Sequence, residues 1–281
     1  MSFAIIGNGF VGQATKILKT PETKMLVYDI DPRKCDPEGT TLGDLAECDI
    51  VFVSVPTPMD QTGRNHLGIV KSVIENLRLH IDPTKTHIVI RSTVLPGTSD
   101  ELDCYFMPEF LTEKNWAHDF RSTKEWIFGV KSGDNLDFET KIQHIIQQAY
   151  DYGNIDSSTT LFVRNKEAEM IKYFRNTFLS IKVSFCNEIY DYCQHQNINY
   201  DVVRKFATLD PRIGPSHTMV PGHDGRRGFG GTCFPKDTTA LLREFEDHNL
   251  ESYILKAAID RNENMDRPEK DWNSDHGRAV I

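Results

Sequence analysis

Hydrophobic residues in the first half of the chain occur in short, nearly continuous runs that alternate with segments of helical spacing. The runs predict buried strands at residues 2–6, 25–28, 50–55, 87–90, 104–107 and 126–130. Apolar residues three or four positions apart predict helices at residues 10–18, 69–79 and 138–150. Strands that are joined through helices form a parallel sheet covered on both faces. We therefore predict a doubly wound α/β domain over residues 1–164.

The pattern changes after residue 164, where helical spacing continues without interruption to about residue 196. The apolar positions of this segment are Met170, Ile171, Phe174, Phe178, Ile181, Phe185 and Ile189. A helix of this length extends over more than ~40 Å at about 1.5 Å per residue, which is too long for one small core. We predict that it opens a mainly helical second domain at residues 165–265 and packs against a partner subunit in a homodimer.

Three further helices are predicted in this second domain, at residues 202–208, 238–247 and 252–262. A glycine-rich stretch at residues 222–231 separates the first of them from the second. The remaining residues, 266–281, are polar and are expected to form a loosely held tail.

Composition excludes several classes of function. The formal net charge is −9 and no long basic block occurs, which argues against binding to nucleic acid or to an anionic membrane. The six cysteines contain no CxxC pair, so we expect reduced thiols and neither a disulfide scaffold nor a metal site. No apolar run approaches the roughly 20 residues of a membrane helix, and no signal-peptide pattern precedes the first strand. We therefore expect a cytoplasmic protein.

The first chemical motif is GNGFVG at residues 7–12, which lies between a predicted strand and a predicted helix. In a Rossmann-like domain, Gly7 permits the tight turn, Gly9 lets the backbone approach a pyrophosphate, and Gly12 allows close helix packing. Asp29 ends the second strand, where a carboxylate accepts hydrogen bonds from ribose hydroxyls and repels a 2′-phosphate. The motif favours NAD over NADP; a glycine turn beside a surface acid is the alternative.

The second motif is GFGGTCFPKD at residues 228–237, with Cys233 at a predicted helix start. Unpaired backbone N–H groups at such a position stabilise a thiolate, which is the reactive form of cysteine. Asp237 follows four residues later and would project from the same helical face. A nucleophile is one interpretation, and a buried structural cysteine beside a flexible turn is the other.

Two further pairs of polar residues are candidates for chemistry. Lys172 and Asn176 lie four residues apart on the long helix, where a cation and an amide together can hold an oxyanion. Glu109 and Glu113 follow a predicted strand, at the sheet edge where doubly wound folds bind their ligands. Without a role in chemistry, Lys172 and Asn176 would form a solvated polar stripe on the helix, and Glu109 and Glu113 would be ordinary surface acids.

Taken together, these residues resemble the UDP-glucose/GDP-mannose dehydrogenase family, whose members oxidise a sugar C6 alcohol to a carboxylate with NAD. The resemblance covers residues 1–265 and rests on motifs in a fixed order. They are GNGFVG, VPTP at 55–58, STVLPGT at 92–98, PEFLTE at 108–113, residues 169–188, DPRIG at 210–214 and GFGGTCFPKD. Family members usually carry a third domain, and this chain stops shortly after residue 264, so we expect the third domain to be absent from it.

The resemblance implies a set of catalytic residues, namely Cys233, Lys172, Asn176, Asp237, Glu109, Glu113 and Thr93. Lys172 and Asn176 would stabilise the alkoxide, while Thr93 and Asp237 would hold a water beside it. Cys233 would attack the resulting aldehyde, and a second oxidation would leave a thioester that water hydrolyses with Glu109 as the base.

Ligand-binding residues are implied in the same way. For NAD they are Gly7, Gly9, Phe10, Val11, Gly12, Asp29, Thr57, Thr93 and Glu113. For the nucleotide-sugar substrate they are Phe110, Leu111, Lys172, Asn176, Arg212, Gly230 and Lys236. The resemblance does not decide whether Lys236 contacts the cofactor or Glu113. It suggests that Arg212 reaches across a dimer.

Residues 223–227 enlarge the substrate loop relative to the family pattern. Arg226 and Arg227 either grip a pyrophosphate by bidentate hydrogen bonds or belong to an exposed charged loop. Two other functions stay open beside the dehydrogenase. One is an NAD-binding regulatory subunit that has lost turnover, and the other is a β-hydroxyacid dehydrogenase with a similar two-domain layout.

Overall fold

The structure is a computed structural model that describes residues 1–281, and it divides into two compact units. The first unit comprises Met1–Thr57 and Leu67–Lys172, and the second comprises Pro58–His66 and Tyr173–Ile281. The sequence placed a boundary at residue 164, whereas the units separate eight residues later, inside the long helix. The short stretch Pro58–His66 also groups with the second unit.

A seven-stranded sheet forms the centre of the first unit. Its strands are β1 (Ser2–Ile6), β2 (Lys24–Tyr28), β3 (Ile50–Val53), β4 (His87–Ile90), β5 (Tyr105–Phe106), β6 (Trp126–Val130) and β7 (Thr160–Arg164). They are arranged in the order β2-β1-β3-β4-β5-β6-β7. The order reverses direction between β1 and β3, and doubly wound sheets bind ligands at the carboxyl ends of strands at such a point. The predicted fold class is confirmed.

Both faces of the sheet are buried, as the apolar strands predict. Phe3 and Ile5 of β1 pack into one hydrophobic core, while the alternating residues Ala4 and Ile6 pack into the other. The covering helices are α1 (Phe10–Thr15), α2 (Gly68–Arg78), α3 (Thr98–Glu101), α4 (Trp116–Arg121) and α5 (Leu136–Asp151). Strand β1 is buried between the two layers of helices, and this burial fixes the position of the turn that follows it.

The sheet differs from the sequence prediction in two respects. Strand β6 runs antiparallel to β5, whereas the other neighbouring strands are parallel. Strand β7 was not predicted, because it lies at the edge of the sheet with Leu161 exposed and continues without a turn into the next helix. Its five residues therefore carry neither a buried run nor a boundary signal.

Four helices dominate the second unit: α6 (Asn165–His195), which begins in the first unit, α7 (Tyr200–Ala207), α8 (Phe234–Asp247) and α9 (Tyr253–Arg261). The predicted long helix is confirmed over 31 residues. Helix α8 begins four residues earlier than predicted, which makes Cys233 its N-cap residue. No helix of the protein combines the length and the apolarity that crossing a membrane requires.

The last residues of the chain pack against the second unit. Arg267, Trp272 and Ala279 are buried. The backbone of Met59 exchanges hydrogen bonds with Ala279 and Ile281, at 2.8 and 3.0 Å. The polar segment that we expected to be loosely held therefore makes specific contacts.

Candidate functional site

The turn after β1 has the shape of a dinucleotide cradle. Gly7 has a φ of +89°, and a Cβ atom on it would collide with the carbonyl oxygen of Ser54. A Cβ on Gly12 would collide with the carbonyl of Gly7, so the start of α1 needs glycine there. No atom lies within 4 Å of a Cβ built on Gly9, which leaves the backbone N–H groups at the start of α1 approachable by a phosphate. These residues fit the pyrophosphate of NAD.

Asp29 is fixed beside this turn by two backbone amides. Its Oδ2 accepts a hydrogen bond from the Asn8 N–H at 2.7 Å, and its Oδ1 accepts one from the Asp31 N–H at 2.9 Å. Each carboxylate oxygen can accept a second bond, which suits the two hydroxyls of a ribose. Asn8, which sequence reasoning passed over, also donates from Nδ2 to the Lys34 carbonyl at 2.6 Å. It ties the glycine turn to the segment after β2.

Two side chains fix the loops that carry the predicted cofactor contacts Thr57 and Thr93. The Ser92 hydroxyl donates to the Val55 carbonyl at 2.6 Å and accepts from the Val55 N–H at 3.0 Å. Glu169 of α6 is fully buried and accepts from the backbone N–H groups of Gly97 and Ser99, at 2.5 and 2.8 Å. Burial raises the pKa of the Glu169 carboxyl, although these bonds oppose the shift.

Glu109 and Lys172 form a buried ion pair in the first unit. The Lys172 Nζ lies 2.6 Å from Glu109 Oε1 and 2.7 Å from the Glu109 carbonyl oxygen, and the two side chains are 3% and 5% exposed. Glu109 Oε2 accepts the backbone N–H of Leu111 at 2.9 Å. The Lys172 ammonium also lies 5.9 Å from the centre of the Phe110 ring. Glu113, four residues beyond Glu109, is exposed.

Behind Glu109 lies a buried arginine that the sequence did not single out. Arg91 donates to the Thr15 hydroxyl and packs on the Phe120 ring, and its Nε has no protein partner. A cavity of about 30 Å³ is lined by Arg91, Glu109 and Phe120, among others. Burial lowers the pKa of Arg91 to about 10, and the negative charge of Glu109 opposes that change. In the sequence, the only sign of this arginine's importance was its position two residues before Thr93.

Cys233 occupies the N-cap of α8 in the second unit. It is half-buried, and the Thr232 hydroxyl lies 3.7 Å from its sulfur. The first backbone bond of the helix runs from the Asp237 N–H to the Cys233 carbonyl, at 2.8 Å. Cys233 thus lies where the positive end of a helix dipole favours a thiolate.

Asp237, in the next turn of α8, is completely buried and receives two side-chain hydrogen bonds. Asn176 Nδ2 donates at 2.6 Å to one carboxylate oxygen, and Lys236 Nζ donates at 2.7 Å to the other. Lys236 therefore pairs with Asp237 in the structure. The predicted residues Asn176 and Lys236 each lie within hydrogen-bonding distance of Asp237.

The three arginines considered for substrate binding each pair with carboxylates of the same chain. The Arg212 side chain is 88% exposed and pairs with Asp210. Arg226 pairs with Glu269 and Asp271, while Arg227 pairs with Asp191 and Asp266. Gly230 is half-buried and lies against a buried guanidinium, that of Arg267. Both loop arginines are therefore engaged in ion pairs within the chain.

A doubly wound sheet with a glycine cradle and an oriented carboxylate at the end of β2 defines a dinucleotide-binding protein of the NAD class. Two models of one family match the chain in order. The NAD binding domain of the UDP-glucose/GDP-mannose dehydrogenase family matches residues 38–150, and its central domain matches residues 166–264. The chain therefore belongs to the UDP-glucose/GDP-mannose dehydrogenase family, and NAD is its cofactor. The family resemblance and the cofactor prediction are confirmed.

Curated relatives agree with this assignment. The chain is 30% identical over 237 residues to a UDP-glucose 6-dehydrogenase of Rhizobium meliloti, a match that covers 79% of the chain and 52% of the relative. It is 32% identical over 308 residues to a UDP-glucose 6-dehydrogenase of Pseudomonas aeruginosa, covering 93% of the chain and 65% of the relative. The chain thus spans about half to two thirds of the length of these relatives.

Solved structures support the fold. A UDP-glucose dehydrogenase from Pyrobaculum islandicum superposes with a TM-score of 0.79 at 25% identity, covering 94% of this chain and 68% of that one. A GDP-mannose dehydrogenase from Pseudomonas aeruginosa gives a TM-score of 0.63 at 23% identity, covering 94% and 69%. The latter likeness shows the shared fold alone.

Proposed function

We propose that this protein oxidises the C6 alcohol of a nucleotide sugar to a carboxylate, with NAD as the oxidant and a covalent intermediate on Cys233. The observation that carries the proposal is the position of Cys233 at the N-cap of α8, with the buried Asp237 network in the following turn. A thiolate at a helix start suits nucleophilic attack on a carbonyl carbon. The names of the curated relatives support a sugar nucleotide as the substrate.

The cofactor and the first oxidation involve different groups of residues. The glycine turn and Asp29 hold NAD, which accepts a hydride from the substrate when it is bound. Lys172 and Asn176 stabilise the negative charge that develops on the substrate oxygen. An amide nitrogen carries two N–H groups, so Asn176 can bond Asp237 and a substrate oxygen together. The hydroxyl proton passes to the water that Thr93 and Asp237 would hold, and the product of this step is an aldehyde.

Cys233 traps that aldehyde. Its thiolate forms a carbon–sulfur bond, and the carbonyl oxygen takes a proton to give a thiohemiacetal. The thiohemiacetal carbon would give a second hydride to NAD and its hydroxyl would give a proton to water, which converts the thiohemiacetal to a thioester. The covalent bond keeps the aldehyde from leaving and presents a second carbon–hydrogen bond for oxidation, so one site performs both steps.

Glu109 assists the final hydrolysis. It takes a proton from the attacking water, the carbon–oxygen bond forms, and the carbon–sulfur bond breaks to return the Cys233 thiolate. Lys172 holds the Glu109 carboxylate through its 2.6 Å ion pair and so keeps the base oriented. The products are a uronic acid and the original enzyme.

A panel of UDP- and GDP-sugars tests the proposal by NADH absorbance. We expect two equivalents of NADH per sugar with at least one member of the panel. Cys233→Ser should stall after the first oxidation and release aldehyde, while Cys193→Ser, at a thiol of the second unit outside the candidate site, serves as the matched control. Binding of NAD without turnover of any sugar would instead indicate the regulatory subunit.

A β-hydroxyacid dehydrogenase is the second candidate, because a shared two-domain layout favours it. A 3-hydroxyisobutyrate dehydrogenase from Mycobacterium tuberculosis superposes with a TM-score of 0.66 and covers 99% of this chain and 96% of that one, at 13% identity. This candidate requires one equivalent of NADH per substrate and a Cys233→Ser variant of nearly normal rate. The sugar panel and this variant therefore separate the two functions.

We also propose a homodimer formed through α6 and α7. The exposed large side chains on these helices include Phe174, Phe178, Phe185, Tyr192 and Phe206, and the rings of Phe174 and Phe178 stack 6.2 Å apart. A cluster of exposed aromatic residues of this kind marks a protein interface. A second copy of the chain is the partner that the proposal names.

A further inference from the structure

The loop that carries Cys233 is held by side chains from the carboxyl-terminal segment. Residues 228–231 contain three glycines around Phe229, and glycine loses more conformational freedom on folding than other residues. Such a loop has few side chains with which to fix itself. Its position therefore depends on the groups that bind its backbone.

Asn262 binds the backbone of Phe229 on both sides. Its Oδ1 accepts the Phe229 N–H at 2.8 Å, and its Nδ2 donates to the Phe229 carbonyl at 2.9 Å. Asn262 is fully buried, so water does not compete for these two bonds. A Cβ on Gly228 would collide with Asn262 Oδ1, which explains why the adjacent residue is glycine.

Arg267 holds the next residue of the loop by packing. Its guanidinium lies so close to Gly230 that a Cβ there would be 2.6 Å from Nε and 2.7 Å from one terminal nitrogen. The φ of Gly230 is not positive, so the nearby arginine and not backbone conformation demands glycine at this position.

Two carboxylates keep this guanidinium in place. Asp271 accepts from the Nε and one terminal nitrogen of Arg267, at 2.7 and 2.8 Å, and Asp224 accepts from the other terminal nitrogen at 2.7 Å. Arg267 is only 3% exposed. A planar guanidinium with its donors engaged in this way is a rigid surface for the loop. A lysine would supply the charge without the plane.

We propose that Asn262 and Arg267 are positioning residues that hold the Gly228–Gly231 loop and thereby place the Cys233 thiol at the start of α8. The inference rests on the proposed role of Cys233 as the nucleophile. Both residues act through the loop backbone. Loss of either anchor lets residues 228–233 sample other conformations, in which the Cys233 thiol moves away from the start of α8 and from the positive end of the helix dipole.

The test compares Arg267→Met with Arg267→Lys and uses two measurements that need no turnover. The first is hydrogen exchange of the peptide containing residues 228–233. The second is the pH profile of Cys233 alkylation by iodoacetamide, followed by peptide mass spectrometry. We expect Arg267→Met to exchange at least about tenfold faster in this loop and to need a higher pH for half-maximal alkylation. Arg267→Lys should recover part of both effects.

Lys270→Met is the matched control, because Lys270 lies in the same segment but pairs with Glu263. It should leave the exchange and alkylation of the loop unchanged. If Arg267→Met does not fold, Asp224→Asn and Asp271→Asn each remove one support of the guanidinium and should accelerate loop exchange about two- to threefold. Unchanged loop exchange in the folded variants overturns the inference.

The outcome separates this inference from the proposed function. Loop exchange and alkylation report on the anchors even if no sugar is oxidised. In an active enzyme, the anchor variants should lower kcat for the complete reaction at least about tenfold with a smaller change in the KM for NAD. Normal kcat in variants whose loop has loosened also overturns the inference while leaving the proposed function intact.

Discussion

At the scale of single residues, the buried Glu109–Lys172 pair is the most informative feature of the first unit. The Glu109 carboxylate is only 5% exposed, and both an ammonium and a backbone N–H contact it. Arg91 adds a second positive charge nearby. These contacts fix the orientation of the carboxylate, as the proposed role of general base requires.

Replacement of Glu109 by Gln keeps the shape of the side chain and removes its basicity. We expect hydrolysis of the Cys233 thioester to slow by about 10²- to 10⁴-fold, which is the usual contribution of a general base. The acyl-enzyme should then accumulate and be visible in the intact mass of the protein. Glu101→Gln, at a surface carboxylate paired with Lys71, is the control. Product release at the normal rate by Glu109→Gln would contradict the assignment.

We expect Asp29 to set the choice between NAD and NADP. Its carboxylate is already oriented by the N–H groups of Asn8 and Asp31, so a ribose diol meets a fixed acceptor. Hydrogen bonds to a charged group contribute about 1.5–3 kcal/mol each. We expect Asp29→Ser to weaken NAD binding by roughly tenfold or more while improving the relative binding of NADP, as titration calorimetry would measure.

The matched control for Asp29 is Asp31→Ala. It removes a half-buried carboxylate that pairs with the exposed Arg33 and leaves the Asp31 backbone N–H in place. NAD affinity should stay within about twofold of the original value. Equal loss of NAD binding in the two variants would show that general negative charge, and not the Asp29 hydrogen bonds, selects the cofactor.

Sequence alone identified most residue types of the site but not their partners. The GNGFVG turn could be predicted because Gly7 and Gly12 each answer a local steric demand, while Gly9 leaves the helix start open. Two other contacts could not be predicted from the sequence, because they depend on which side chains the fold brings together. They are the Lys236–Asp237 contact and the pairing of Arg226 with Glu269. Arg267 lies far along the chain from Gly230, and no spacing rule connects them.

At the scale of elements, the strength of the local signal decided what the sequence predicted. Strands buried on both faces and the long helix α6 have strong periodic patterns, and they were predicted within a few residues. Strand β7 lies at the sheet edge, and its residues are half-buried or exposed. It therefore has no run of buried apolar residues from which it could be predicted. The antiparallel β5–β6 pair depends on chain direction, which hydrophobicity does not encode.

The contact between β4 and α5 gives a prediction for the pH dependence of stability. His87 at the start of β4 packs edge-on against Tyr105 and Phe138, and its Nε2 lies 2.7 Å from Asp137 Oδ2. Burial lowers the pKa of His87 below 6.5, although Asp137 opposes the shift. The unfolded chain therefore binds the proton more tightly than the folded protein does. Stability contributed by neutral His87 is present above pH 6.5 and is lost as the pH falls through the lowered pKa.

Thermal unfolding across the range from about pH 5 to 7.5 checks this prediction. The Tm of the His87→Gln variant should fall less on acidification than the Tm of the original protein, because the glutamine side chain does not titrate. His144→Gln, at an exposed position of α5, should behave like the original protein. A steeper acid dependence in His87→Gln would show that the Asp137 contact outweighs burial and that the sign is reversed.

At the scale of the whole molecule, the protein joins a dinucleotide-binding unit to a helical unit that carries a thiol. The long helix α6 supplies Glu169 and Lys172 to the first unit and Asn176 to the second. A substitution on this helix can therefore affect either unit, and its consequences for stability and for chemistry need separate measurements.

The aromatic residues on the outer face of α6 give the last prediction, which concerns assembly. Phe178 is 56% exposed and lies one turn from Phe174, with their rings parallel. Burying an aromatic side chain contributes about 1.5–3 kcal/mol, and a two-fold interface counts each residue twice. Phe178→Glu should therefore raise the dimer dissociation constant by at least about 100-fold in sedimentation velocity. Leu79→Glu, at a still more exposed apolar residue after α2, should leave assembly unchanged. A protein that stays monomeric at micromolar concentration, or a Phe178→Glu variant that remains dimeric, would show that this face does not join two copies of the chain.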